Sequence, residues 1–173
     1  MKKIATSILI FVIVVSSVFA YDSGVYSAFG FSFQGNESAS STENFRATID
    51  FSMAYHFNGI FSSGATAKAK YWEGSNFGVS SAMFDILPFI RVRGNLGDSI
   101  GNIGFYTSII PAGIEMDITT DSFKVSYIYG ISMGWDLKMT ERCFTYVEFG
   151  INGAYNSNVI GFVGTTVGVR YSI

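Results

Sequence analysis

The sequence predicts an all-β fold: an eight-stranded antiparallel up-and-down β-barrel, of the kind whose outer face crosses a membrane. Three observations lead there. Apolar residues recur at every second position along eight segments, which is the period of a strand. About half of the 173 residues are apolar (49%) and only 14% are charged, against roughly 25% charged in a typical soluble domain. After residue 20, no stretch is apolar for the ~18 residues that a spanning helix needs.

Composition narrows the function classes. The length fits one domain. An aromatic content of 17% with so little charge excludes intrinsic disorder. The net charge of −2 offers no basic surface to nucleic acid. A single cysteine, Cys143, rules out an intramolecular disulfide framework and a cysteine-based zinc cluster. No cofactor or metal site is expected.

Residues 1–20 are expected to be a leader. Lys2 and Lys3 are followed by an apolar stretch, roughly Ile8 to Val15, and then by Val18-Phe19-Ala20. Small or β-branched residues thus stand at −3 and −1 of a cut before Tyr21, the three-part pattern of a secretory signal peptide. The alternative, an N-terminal membrane anchor, has too short an apolar core, since a spanning helix needs ~20 residues. No cysteine near the cut offers a lipoprotein anchor. Residues 21–173 would form the barrel, with a net charge of −4.

The strands follow in order. Gly24–Phe33 is the first segment. Phe45 to Phe57 alternates most clearly, with Phe45, Ala47, Ile49, Phe51, Met53, Tyr55 and Phe57 on one face. Arg46, Thr48, Asp50, Ser52, Ala54 and His56 form the other. Asn58-Gly59 is a hairpin signal leading into Phe61–Trp72. If Phe57 pairs with Phe61, Asp50 falls opposite Lys68 and Thr48 opposite Lys70, and the opposed charges support that register. In Ala82–Arg93, Phe84, Ile86, Ile90 and Val92 share one side, with Asp85, Arg91 and Arg93 on the other. Pro88 weakens this strand, because proline cannot donate to a ladder. Gly101–Ile110 is the fifth segment. Ile114, Met116 and Ile118 alternate again, so it can continue past a bulge at Pro111–Gly113; otherwise Pro111–Ser122 is a loop. Phe123–Leu137 alternates cleanly, Cys143–Tyr155 and Val159–Ile173 less so. Loops after the first, third and fifth strands are long, and those after the second, fourth and sixth are tighter.

Periodicity does not say which face is outside. A membrane barrel turns its apolar face to lipid; a lipocalin-like barrel turns it inward around an apolar ligand, which would put Phe51, Ile131 and Val167 at a cavity. Three features favour the membrane. Tyr55, Phe57, Phe61, Trp135 and Tyr171 gather at one rim, and Phe31, Phe45, Tyr71, Phe84, Phe123 and Tyr155 at the other, as the aromatic girdles of membrane barrels do. Trp72 is out of phase and reads as a loop residue. The opposite face is mostly Gly, Ser, Ala and Thr, suited to a crowded eight-stranded interior. Its few charges, Arg46, Asp50, Lys68, Lys70, Asp85, Arg91, Arg93, Lys124, Asp136, Glu148 and Arg170, must be paired there, because an unpaired buried charge costs several kcal/mol. Seven bases against four acids make that lumen slightly basic, and Glu148 reads as its deepest acid. The external loops carry Glu37, Glu43, Glu73, Asp121 and, if the fifth strand ends early, Glu115 and Asp117, with no Lys or Arg.

Val167, Val169, Tyr171 and Ile173 alternate to the last residue, with Tyr171 third from the end. This resembles the terminal strand of outer-membrane β-barrels, a resemblance that implies recognition by the barrel-assembly machinery. The family usually ends in Phe; here Ile173 stands in its place. Gly134-Trp135-Asp136-Leu137 before a short turn is similar to the penultimate hairpin of small OmpA-transmembrane, OmpX and OmpW type barrels. The resemblance implies a bacterial outer-membrane location, lipid as a partner, and a structural or surface-interaction role, with a host or surface ligand unspecified. A narrow channel for small solutes is an alternative. Lipid-modifying barrels that this architecture also resembles use a catalytic histidine near the outer leaflet. His56 instead stands at the opposite, turn end, and Ser52 is four residues away, about 13 Å along a strand. No enzyme is therefore expected.

Overall fold

The computed structural model describes residues 24–36, 45–73, 82–95, 103–118, 123–155 and 162–173. The expected leader, the loop acids Glu37, Glu43 and Asp121, and the side chains of Phe45, Tyr71, Trp72 and Glu73 lie outside the described set. Eight strands run β1 (Gly24–Asn36), β2 (Phe45–His56), β3 (Phe61–Glu73), β4 (Ala82–Asn95), β5 (Ile103–Ile118), β6 (Phe123–Lys138), β7 (Cys143–Ala154) and β8 (Phe162–Ser172). Each pairs antiparallel with its sequence neighbours, and β8 closes on β1.

The stagger follows from the register. Val25 is paired with Tyr55, and partners then lead through Ser63, Ile90, Ile109, Ile131, Ile151 and Val163 back to Gly35. The circuit returns ten residues from its start, a shear that tilts eight strands by about 40°. The expected pairings of Asp50 with Lys68 and Thr48 with Lys70 are both present. At the turn, Phe57 N–H donates to the Phe61 carbonyl, 3.0 Å. The Asn58 Oδ1 accepts from the amides of Ile60 and Phe61 at 3.0 and 2.8 Å, the local bond that makes Asn a turn residue.

Two irregularities correct the sequence reading. β5 does continue to Ile118, so residues 111–118 are strand rather than loop, and Glu115 and Asp117 belong to it. The β5–β6 register slips by one residue between Ile110 and Gly113, and the β4–β5 ladder is interrupted between Ile86 and Ile90. Both prolines of the chain, Pro88 and Pro111, fall in this interval, where a missing N–H donor is tolerated. Trp72 is also in a strand. One extra residue on β3, between the partners of Ala47 and Thr48, brings Trp72 opposite Ala47.

The apolar phase faces out. Phe51, Ile131 and Val167 are each 50% exposed, so they line no cavity and the lipocalin-like arrangement is not the one adopted. The inner phase is less uniformly small than expected. Tyr26, Tyr106, Phe144 and Tyr146 point inward and are buried. Tyr106 and Tyr146 fit because glycines stand beside them. A Cβ on Gly134 would come within 2.5 Å of the Tyr106 ring, and one on Gly30 within 2.6 Å of the Tyr146 hydroxyl. Large and small thus interdigitate at native density.

Gly168→Val would drive its side chain into the backbone of Phe29 and Gly30 and into Tyr146. A loss of roughly 1–3 kcal/mol is expected from such overpacking. Gly150→Ala meets Ser132 Cβ at 3.2 Å and the Ile131 carbonyl at 3.5 Å and should cost clearly less than Gly168→Val. Urea unfolding of the two variants in lipid vesicles checks the contrast.

Candidate functional site

The lumen holds nearly all the described charge of the strands, sorted into layers by the alternation and the shear. Asp50 on β2 is the hub of the layer at the β1–β8 seam. Lys68 lies 3.0 Å from it, Thr48 donates to it at 2.6 Å, and Ser32 on β1 donates to it as well. Ser32 is itself 2.7 Å from Thr166 on β8. One carboxylate thereby ties β1, β2, β3 and β8.

Nearer the chain termini, Asp136 is fully buried, accepts from Arg170 and is ion-paired with Arg93. Between these layers Arg91 pairs with Glu148 at 2.9 Å and donates to Ser108 at 2.7 Å. Its guanidinium lies 4.0 Å from the Tyr106 ring centre, and Arg170 lies 5.0 Å from both Tyr106 and Tyr146. Such stacking helps keep a desolvated guanidinium in place. At the far mouth Arg46 bridges to Glu115 at 2.9 Å and to Gln34 at 2.7 Å. Lys70 is buried, and Asp85, also buried, is paired in register with Lys68 on one side and Glu115 on the other.

Three expectations about this network change. Glu115 and Asp117 stand in the inward phase, which raises the acids of the inner face from four to six, and with Lys124 at the rim six bases face them, so the basic excess vanishes. Glu148 is not the deepest acid: its side chain is 22% exposed, against 0% for Asp136 and 2% for Asp50. Lys124 is exposed at the rim, opposite Asp117, rather than inside.

Sequence reasoning also missed an apolar patch in the lumen. Leu87, Phe89, Ile110 and Ile128 pack together beside the β4–β5 irregularity. The signal was present, since Leu87 and Phe89 share the phase of Asp85 and Arg91. Among the described residues, one internal cavity of about 40 Å³ is lined by Asp50, Lys68, Arg91 and Glu148 among others. That is room for a few waters.

His56 is buried, with its ring 4.1 Å from that of Tyr26. Asp50 is committed to Lys68, Thr48 and Ser32, and Ser52 bonds Thr66 at 2.8 Å. The three residues of the polar phase of β2 form no nucleophile–base pair. Among the described residues no group of three or more His, Cys, Asp or Glu could hold a metal ion. Cys143 is half-buried and free.

On the outer wall, Tyr55, Phe57, Phe61, Trp135 and Tyr171 are exposed near the terminal rim. Trp135 packs between Phe105 and Phe149, centroids 6.0 and 5.9 Å away. At the other rim Phe84, Phe123 and Tyr155 are exposed, Tyr155 against Tyr129 at 4.7 Å. Phe31 lies farther down than expected, because β1 runs on to Asn36 and Phe33 stands closer to that rim. Val167, Val169, Tyr171 and Ile173 form one exposed outward row.

No family model and no curated protein matches the chain. Solved structures do share its fold. Neisserial surface protein A aligns over 90% of this chain and 99% of its own, with 12% identity and a TM-score of 0.59. The outer membrane protein OprG of Pseudomonas aeruginosa aligns over 88% and 97%, with 9% identity and a TM-score of 0.54. A de novo designed transmembrane β-barrel aligns over 90% and 100%, with 14% identity and a TM-score of 0.53. The fold is therefore that of the small eight-stranded outer-membrane β-barrels.

Asp136→Asn removes the charge that Arg93 and Arg170 share. Breaking one side of a buried ion pair costs about 3–5 kcal/mol, and urea unfolding in lipid vesicles should show a loss of that order. Glu141→Gln, on the exposed turn beside Lys138, should leave the midpoint unchanged, because exposed pairs contribute little.

Proposed function

We propose that this chain is an integral protein of the bacterial outer membrane, without enzymatic activity, whose role is structural or is exerted through its external loops on a surface ligand. The observation that carries this reading is the inversion of the usual soluble arrangement. Large apolar side chains cover the outside, while Asp50, Asp85, Asp136, Arg46, Arg91, Arg93 and Arg170 are buried inside. In hydrocarbon a backbone must satisfy its own polar groups, and a closed barrel does so.

Several features support the details. Residues 1–20 would direct export and be removed near Ala20. The outward wall, bounded by its aromatic rims, would take bilayer lipid as its first partner. The β8 row of Val167, Val169, Tyr171 and Ile173 would be read by the assembly machinery during insertion. The tight turns stand at the same end as the termini, since Gly24 pairs with His56 and Tyr26 with Ser172. That end would face the periplasm, leaving the longer, acidic loops outside. A buried His56 held against Tyr26 supports a non-enzymatic reading.

An epitope tag inserted after Ser40 should be detected on intact cells, and one after Asn58 only once the outer membrane is permeabilised. Detection of the Asn58 tag on intact cells would reverse the topology. Phe51→Lys should destabilise the inserted barrel by roughly 2–4 kcal/mol, as lysine at the bilayer midplane does, and Ser52→Lys by less. Equal tolerance of both would refute a lipid-facing Phe51.

A further inference from the structure

We infer that the upper half of the β5–β6 hairpin is immersed in lipid, so that the barrel leans with this side deeper in the outer leaflet and the hairpin's outer face is withdrawn from soluble partners. This rests on the membrane reading above. Its basis is a band of apolar surface that is much taller on one side of the barrel than on the other.

β5 and β6 are the longest strands, 16 residues each. On β6 the outward row runs Leu137, Trp135, Met133, Ile131, Tyr129, Tyr127, Val125 and Phe123 without a polar break, every member exposed. With strands tilted by about 40°, each residue rises roughly 2.5 Å along the barrel axis, so this row covers roughly 35 Å. A membrane barrel's apolar band is about 25 Å tall. On β1, across the barrel, the outward row runs Val25, Ser27, Phe29, Phe31 and Phe33, with Ser27 interrupting its apolar members, and then meets Gly35, which covers roughly 20 Å on the same scale.

The excess lies at the end away from the termini. Among the described residues β6 makes its last register pair with β7 at Ile128, opposite Ala154, with one further bond from the Tyr155 amide to the Tyr127 carbonyl, and Phe123 and Val125 stand beyond it. Ile114 and Ile118 on β5 accompany them, both exposed. The two faces of the hairpin stay sharply different to its end. Glu115, Asp117, Lys124 and Ser126 occupy the inner phase at the same level as Met116, Ile118, Phe123 and Val125 on the outer one. A hairpin standing free in water has no reason to keep one face apolar. The outer face continues the lipid-facing wall below it in the same phase of the same strands, which identifies lipid as what covers it. Tilting is the ordinary response to an apolar span longer than the local bilayer.

Nitroxide labels at Phe123→Cys, Ile131→Cys and Gly35→Cys, each in a Cys143→Ser background, test this in phosphatidylcholine vesicles. Collision with oxygen reports lipid, and collision with a water-soluble nickel complex reports water. The label at Phe123 should favour oxygen, with the same sign of the oxygen-to-nickel ratio as at Ile131, and the label at Gly35 should favour nickel. Val125→Cys makes the same measurement if the Phe123 variant fails to fold. Nickel preference at Phe123 and Val125 with oxygen preference at Ile131 would overturn the inference and leave the barrel in the membrane. Oxygen preference at Gly35 equal to that at Phe123 would also overturn it, because the band would then be level. Nickel preference at Ile131 would remove the membrane reading itself.

Discussion

Closure of β8 on β1 is the constraint from which the rest of the molecule follows. An open sheet of these sequences would present a free edge and two exposed faces. Closing it with a shear of ten residues removes the edge and separates an inside from an outside. It also fixes the inner diameter, and so decides that the lumen is a packed core rather than a pore. The seam is held by more than its ladder. Asp50 gathers Ser32 from β1, Lys68 from β3 and, through Ser32, Thr166 from β8.

The inside must then accommodate charge where water is scarce. Pairing alone repays desolvation only when geometry is good and the remaining hydrogen-bonding capacity is used. Two arrangements offset part of that cost. Carboxylates are shared, as Asp136 is between Arg93 and Arg170. Guanidinium faces are covered by tyrosine rings, which in turn occupy the room left by glycines on neighbouring strands. Polar network and steric fit are one arrangement, because Tyr106 serves both Arg91 and Gly134.

Much of this is legible in the sequence, and the boundary is physical. Strands such as β2 declare themselves because their side chains alternate over their whole length, and the Asp50–Lys68 pair follows from one hairpin turn. Bulges are harder. A single extra residue in β5 or β3 flips the phase of all that follows, which is why Trp72 reads as a loop residue and Glu115 and Asp117 as loop acids. Contacts across the lumen are harder still. That Arg91 reaches Glu148 three strands away depends on the shear, which no local pattern reports. Tyr106 and Tyr146 sit visibly in the polar phase, but that they have room there is known only once the register brings Gly134 and Gly168 beside them.

The fold is shared with a natural surface protein, an outer membrane protein and a designed barrel, and the likeness is one of fold. The central claim is that the apolar wall faces lipid. Fractionation of cells expressing the full chain, followed by electrophoresis of cold and boiled samples, tests it most directly. The account predicts recovery with the outer membrane and a band that shifts on boiling, as a closed barrel resistant to detergent unfolds. A protein soluble without detergent, with no shift, would contradict it.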